Sequence, residues 1–203
     1  LHLLDRLWQR HNLKGKLQAH LVRYADDFVV MCRKDVEEPL KVVRHVLDRL
    51  GLNLNETKTQ IVDATQASFN FLGFAIRMSR GRRTGKPYPH VCPADKSLMK
   101  IKAKLTQLTG RELTPIALDK IVGNVNRSLN GWVNYFHYRN SNLVMEKVKT
   151  HAEQRMRTHL MKRHKVKDRG IGEGRFPSVD LYRRYGLYKV PTAAGWKSAH
   201  ALA

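Results

Sequence analysis

Leu21-Val22-Arg23-Tyr24-Ala25-Asp26-Asp27-Phe28-Val29-Val30-Met31-Cys32 is the stretch that decides how the rest of the chain is read. Two β-rich apolar runs flank a tight Ala25-Asp26-Asp27, the pattern of a β-hairpin whose turn carries two adjacent carboxylates. Asp is a good turn residue, and that preference alone accounts for such a pair. The alternative is chemical. Neighbouring carboxylates repel, and a site rich in hard oxygen donors suits Mg²⁺, which takes one or two carboxylates and completes its shell with water and substrate phosphates. Two such ions clamp the attacking and leaving oxygens in phosphoryl transfer.

Working outward, Gly51-Leu52-Asn53-Leu54-Asn55-Glu56-Thr57-Lys58-Thr59 and Phe69-Asn70-Phe71-Leu72-Gly73-Phe74 follow in order. Tyr24-Ala25-Asp26-Asp27 resembles the Tyr-x-Asp-Asp box of reverse transcriptases, in the form common in group II intron-encoded proteins. The two later blocks resemble the next segments of that family, and Leu129-Asn130-Gly131-Trp132-Val133-Asn134-Tyr135-Phe136 resembles its maturase-specific, or thumb, region. The likeness extends over nearly the whole chain. It implies an α+β fold, with part of a polymerase palm (antiparallel strands with packed helices) over 1–93, an α-helical thumb bundle over 94–165 and a basic C-terminal tail over 166–203.

Composition sets independent limits. Lys and Arg outnumber Asp and Glu 38 to 17 in 203 residues, a formal charge of +21, so a polyanionic partner is expected, with affinity that falls as salt rises. A basic RNA-binding protein without catalysis would carry the same bias. Cys32 and Cys92 show no metal-ligand spacing, nor do His2, His11 and His20. No apolar run approaches the ~20 residues of a membrane span and no signal peptide is evident, so a soluble protein of the reducing cytoplasm is expected. The chain opens in helical rhythm without an initiator Met, which suggests a fragment. Internal repeats and the Cys pairs of an appended endonuclease are missing from the sequence.

Taken in order, Leu3, Leu4, Leu7 and Trp8 recur at helical spacing and predict a helix to about residue 11, followed by a loop over 11–16. Val36, Leu40, Val43, Val46, Leu47 and Leu50 predict a second helix stopped by Gly51. Leu52 and Leu54 alternate with Asn53 and Asn55 as a short strand would. Phe69, Phe71, Ile76 and Met78 suggest a hairpin in which Gly73 permits a tight turn or close backbone approach. Residues 79–93, rich in Arg, Gly, Lys and Pro, are expected to form an exposed basic loop in which Arg82 and Arg83 are candidate RNA contacts. The spacing of a Walker phosphate loop is not there.

Beyond Asp95 the pattern turns helical. Leu98, Ile101, Leu105 and Leu108 share a face, leaving Lys100 and Lys104 among the cations of the other. Thr114-Pro115 predicts the start of a second helix and Asn140 or Ser141 that of a third, giving a small bundle. Trp132 and Phe136 are expected in the core, whereas Tyr135 and Arg139 are candidates for an RNA-facing edge. Arg155, Lys162 and Arg163 belong to a cation-dense third helix suited to phosphate contacts that position RNA without reading its sequence. Ser178-Val179-Asp180-Leu181-Tyr182 could begin a short helix near the end of the tail.

The resemblance also implies roles. Asp26 and Asp27 would be the metal-binding and catalytic pair for two Mg²⁺ ions, Tyr24 and Ala25 would line the nucleotide or primer pocket, and Phe71, Leu72, Gly73 and Phe74 would hold the primer. Lys58 resembles the polymerase lysine proposed to protonate leaving pyrophosphate, a role that needs closeness to the departing oxygens; a positioned charge could act electrostatically instead. Implied partners are group II intron RNA, an RNA template with a DNA primer, and dNTP. The family needs a third aspartate from an earlier palm strand and template-binding fingers; Asp5 lies in a helical pattern and does not replace that aspartate. The 203 residues alone are therefore expected not to polymerise. Two other readings stay open: an RNA-binding splicing module without polymerase activity, and a related reverse transcriptase in phage defence or CRISPR spacer acquisition.

Overall fold

The computed structural model describes residues 2–55 and 57–195. It divides into two compact units, Leu1–Asp63 and Ala64–Ala203.

In the first unit, α1 (His2–Arg10) and a one-turn helix α2 (Leu13–Lys16) precede strands β1 (Ala19–Tyr24) and β2 (Asp27–Cys32), and α3 (Glu37–Arg49) follows. The turn α2 occupies part of the stretch expected as a loop. Leu4 and Trp8, one helical turn apart, are buried with Ala19, Val43, Val46 and Leu47; each large apolar side chain so buried stabilises by roughly 1.5–3 kcal/mol. The strands pair antiparallel, with Ala19 opposite Cys32 and Tyr24 opposite Asp27. Because side chains alternate across a strand, Leu21, Phe28, Val30 and Cys32 pack toward this core, and Val22, Tyr24 and Met31 lie exposed on the other face. Gly51, at φ 65°, ends α3 as expected.

The strand expected at Leu52–Asn55 does not form. Neither β1 nor β2 takes it as a neighbour, and a lone strand leaves its amides and carbonyls without partners. Leu54 packs on the core instead, and the Asn55 carbonyl accepts the Lys58 and Thr59 amides.

In the second unit, β3 (Phe69–Phe71), β4 (Phe74–Arg80) and β5 (Pro87–Pro93) form an antiparallel sheet in that order. The basic loop expected over 79–93 shrinks to residues 81–86, because the proline-rich stretch is a strand. β5 is an edge strand. Pro87, Pro89 and Pro93 occupy alternate positions, opposite Arg80, Met78 and Phe74, and Val91, in the same alternate set, turns its amide away from β4 to Asn140 Oδ1. A missing N–H on that side breaks no ladder bond.

The helices are α4 (Asp95–Leu108), α5 (Leu118–Phe136), α6 (Asn142–Arg163), α7 (Arg169–Arg175) and α8 (Ser178–Arg183). α5 begins four residues after Thr114, which closes a turn by donating to the Arg111 carbonyl instead of capping the helix. Leu98, Ile101, Leu105, Val125, Leu129, Met145, Met156 and Leu160 meet in one core. The stretch read as a basic tail adds Phe176, Leu181, Leu187 and Val190 to it. Glu153 fastens that stretch, accepting from the Tyr182 hydroxyl and from Ser178 Oγ at 2.8 Å, while Arg157 donates to the Phe176 carbonyl and to Ser178. Burial and the neighbouring carboxylate push the Tyr182 phenol well above its usual range.

A carboxylate turn, a glycine turn and basic faces

Asp26 occupies the turn between β1 and β2, and Asp27 is the first residue of β2. Both are exposed, as are Tyr24 and Ala25. Asp27 pairs with Tyr24, Val29 with Val22 and Met31 with His20, so the outer face of the hairpin is apolar along its middle and acidic at its tip. Ala25 takes φ 52°, an uncommon conformation for a residue with a Cβ. Arg23 holds it there: Nη1 donates to the Ala25 carbonyl at 2.8 Å, while Nε and Nη2 grip Asp5 of α1. That hydrogen bond to Arg23 keeps the Asp5 carboxyl below its usual range. Sequence reasoning missed this pairing, since eighteen residues separate the partners and α1 offers no periodic signal for it.

As a donor set, Asp26 and Asp27 fit an ion that takes one or two carboxylates, and the Arg23 guanidinium, held chiefly by Asp5, also feels the Asp26 charge. Among the described residues no group of three or more His, Cys, Asp and Glu gathers into a metal site. Lys58 is exposed in the irregular stretch after α3, its amide bonded to Asn55.

In the second unit, Leu72 and Gly73 take φ 50° and 81°, so both central residues of the β3–β4 turn are left-handed, the type I′ arrangement that suits a two-residue hairpin. Gly73 is also closely surrounded. A Cβ there would meet Phe136 Cζ and Ser97 Oγ at 3.1 Å each, and its carbonyl accepts Ser97 Oγ and the Ala94 amide, both at 2.9 Å. Phe74 stacks with Phe136, ring centroids 5.1 Å apart, and the Tyr135 hydroxyl donates to the Leu72 carbonyl at 3.1 Å. Phe71, Leu72, Gly73 and Phe74 are thus half-buried against α4 and α5. Trp132 packs on Phe136 at 4.7 Å, as expected of a core pair.

The basic candidates separate into two kinds. Arg82, Arg83, Lys100, Lys104 and Lys162 are exposed. Arg155 and Arg163 are half-buried and bonded to backbone: Arg155 to Thr109 Oγ1 and the carbonyls of Thr106 and Thr109, Arg163 to the carbonyls of Thr114 and Ile116. With His151 on the Lys102 carbonyl and His159 buried beside them, they form an i, i+4 row along α6 that serves the end of α4 and the connection beyond it. Burial lowers the His159 pKa, Lys162 and Arg163 add to the effect, and the nearby backbone of Thr109 and Gly110 partly opposes it. Arg139 stacks over Tyr138 and donates to its hydroxyl; Tyr135 keeps 54% of its surface exposed despite its bond to Leu72.

Charge is unevenly divided. Residues 1–63 hold eleven Lys and Arg against nine acids, whereas 64–203 hold 27 against eight. No helix of the described residues is long and apolar enough to cross a membrane.

A comparison with curated proteins finds no match. Two family models do match. Residues 2–76, from α1 through the carboxylate hairpin into β4, fit the reverse transcriptase (RNA-dependent DNA polymerase) model. Residues 98–173, from α4 into α7, fit the group II intron maturase-specific domain. Together they span most of the chain, in the order that the carboxylate turn and the Gly131-Trp132 helix require, and the chain belongs to the group II intron reverse transcriptase/maturase family.

Proposed function

We propose that these residues serve RNA-directed DNA synthesis and group II intron splicing and mobility. Residues 1–93 act as part of the palm, 94–165 as the thumb and 166–203 as a basic extension. The observation that carries the reading is the exposed Asp26–Asp27 pair at the end of a braced hairpin. Asp26 and Asp27 would hold Mg²⁺, which when bound supplies charge stabilisation for an in-line displacement by the primer 3′-hydroxyl. Tyr24 and Ala25 border the incoming nucleotide or primer end. The turn from Phe71 to Phe74 holds the primer, stiffened by Ser97, Tyr135 and Phe136. Lys58 places positive charge near the leaving phosphates. The exposed cations Arg82, Arg83, Lys100, Lys104 and Lys162, with Tyr135 and Arg139 at the edges, follow the backbones of intron RNA and of the RNA template and DNA primer. Two carboxylates are fewer than the family's catalytic set, so the 203 residues alone bind nucleic acid without extending a primer.

Asp26→Asn and Asp27→Asn test the reading in a protein that joins these residues to the family's fingers and third aspartate. Loss of primer extension by about a thousandfold or more, the scale of removing a principal charge-stabilising group, with RNA affinity retained, is expected. Undiminished synthesis by either variant refutes the metal role. The uneven charge favours a second reading, an RNA-binding splicing module, which predicts splicing stimulation that survives both substitutions.

A further inference from the structure

Within the nearly neutral first unit, charge is segregated along the hairpin. No acid occurs between Asp5 and Asp26, whereas Arg6, Arg10, Lys14, Lys16 and Arg23 do, and Arg33 and Lys34 follow β2 directly. At the base of the hairpin, the end away from the Asp26–Asp27 turn, lies a cleft of about 480 Å³ lined by Asn12, Lys14, Gly15, Gln18, His20 and Arg33. Its lining contains an ammonium, a guanidinium, an imidazole and two carboxamides, and no carboxylate. The backbone brings them together: the Arg33 amide donates to the Gln18 carbonyl at 3.3 Å, one step beyond the Ala19–Cys32 pair. By strand alternation His20 stands on the same outer face as Val22, Tyr24 and Asp27, and Gln18 and Arg33 lie just beyond the strand ends, Gln18 at φ 47°. Asn12 Oδ1 already accepts the Gly15 amide, which leaves its Nδ2 as the donor of that side chain.

We propose that this cleft binds a backbone phosphate of RNA. The site has donors and no acceptor side chain with formal charge, which suits an anion, and a chain of +21 in a family that handles RNA identifies the anion as a phosphodiester. Lys14 and Arg33 supply charge, the Arg33 fork matches two phosphate oxygens, and Asn12, Gln18 and His20 complete the donor ring. Six residues of strand at about 3.4 Å each place the cleft roughly 20 Å from the carboxylate tip along one face, less than one turn of a duplex. The face thus offers a cationic anchor, an apolar floor of Val22, Val29 and Met31, and an acidic end. The site does not depend on the catalytic role of Asp26 and Asp27.

The test uses the whole chain and a fluorescein-labelled single-stranded RNA of about twenty nucleotides, titrated across a salt series. Lys14→Ala/Arg33→Ala is expected to weaken binding about tenfold at low salt and to make the slope of log affinity against log salt shallower by about one, the loss of one phosphate contact. Lys41→Ala/Arg49→Ala removes equal charge from α3 and is expected to change affinity less than about twofold. Equal effects from the two pairs, or none from either, overturn the proposal. A second readout needs no substitution. RNA, and inorganic phosphate at higher concentration, should shift the His20 ring resonances; a response to phosphate with none to RNA marks a small-anion site and also overturns it. Neither readout involves primer extension, so failure here is separable from failure of the polymerase reading.

Discussion

Arg23 and Asp5 are joined through two guanidinium nitrogens, Nε lying 2.9 Å from Oδ2, and the third nitrogen of the same guanidinium holds the Ala25 carbonyl at 2.8 Å. One side chain therefore connects α1 to the turn that presents Asp26. A lysine keeps the charge but cannot supply three donors in a plane.

Arg23→Lys and Asp5→Asn should accordingly loosen the turn more than they destabilise the unit. We expect faster amide exchange at Ala25 and Asp26 with a shift in thermal midpoint of no more than about 3 °C. Unchanged exchange in both variants would show that the turn holds itself. The pH dependence has a definite sign. The Asp5 carboxyl is depressed in the folded state, so its contribution is present above the unfolded carboxyl's pKa and is lost as pH falls through the folded one. Asp5→Asn should remove that part of the acid transition and leave stability less pH-sensitive below about pH 4.

Gly73→Ala places a methyl at φ 81° and 3.1 Å from both Phe136 and Ser97. Strain and crowding together should cost about 1–3 kcal/mol, read as a lower denaturation midpoint. Tyr135→Phe, which removes only the bond to the Leu72 carbonyl, should cost less than about 1 kcal/mol because the site is partly wet. A glycine substitution without effect would mean that the turn is free to move off α5.

The two kinds of basic residue can be told apart by what their removal changes. Arg155→Ala removes one donor each from the carbonyls of Thr106 and Thr109, the former still accepting the Thr109 amide, and should reduce stability by about 1–3 kcal/mol. Lys104→Ala, at an exposed site, should leave stability within about 0.5 kcal/mol and lower RNA affinity in a salt-dependent way. Equal stability losses from the two would contradict the division.

The hairpin, the three long helices and the need for glycine at position 73 were legible because each rests on local pattern: alternation, a 3.6-residue period, a turn that demands positive φ. What stayed hidden depended on partners far away in sequence. Leu52–Asn55 alternates as a strand should, yet pairing decides strands and none is offered. The stretch with Pro87, Pro89 and Pro93 looked like a loop because nothing local says that those positions face outward from an edge. Phe176, Leu181, Leu187 and Val190 were masked by the lysines, arginines and glycines around them. Arg155 and Arg163 looked like RNA contacts for the complementary reason: the sequence shows a cation and conceals the carbonyls that engage it. The RNA-facing roles of Tyr135 and Arg139, and those of Asp26, Asp27 and Lys58, rest on family likeness and not on local pattern.

The two sheets differ in how they end. β5 closes its sheet with three prolines and the Asn140 clasp on Val91, so nothing further can zip onto that side. The β1–β2 ribbon has no such guard, and among the described residues neither flank of it meets another strand. A two-stranded ribbon is marginal by itself, which makes this hairpin the place where an added strand from any source would be most readily welcomed, and where self-association would begin if these residues were concentrated in isolation.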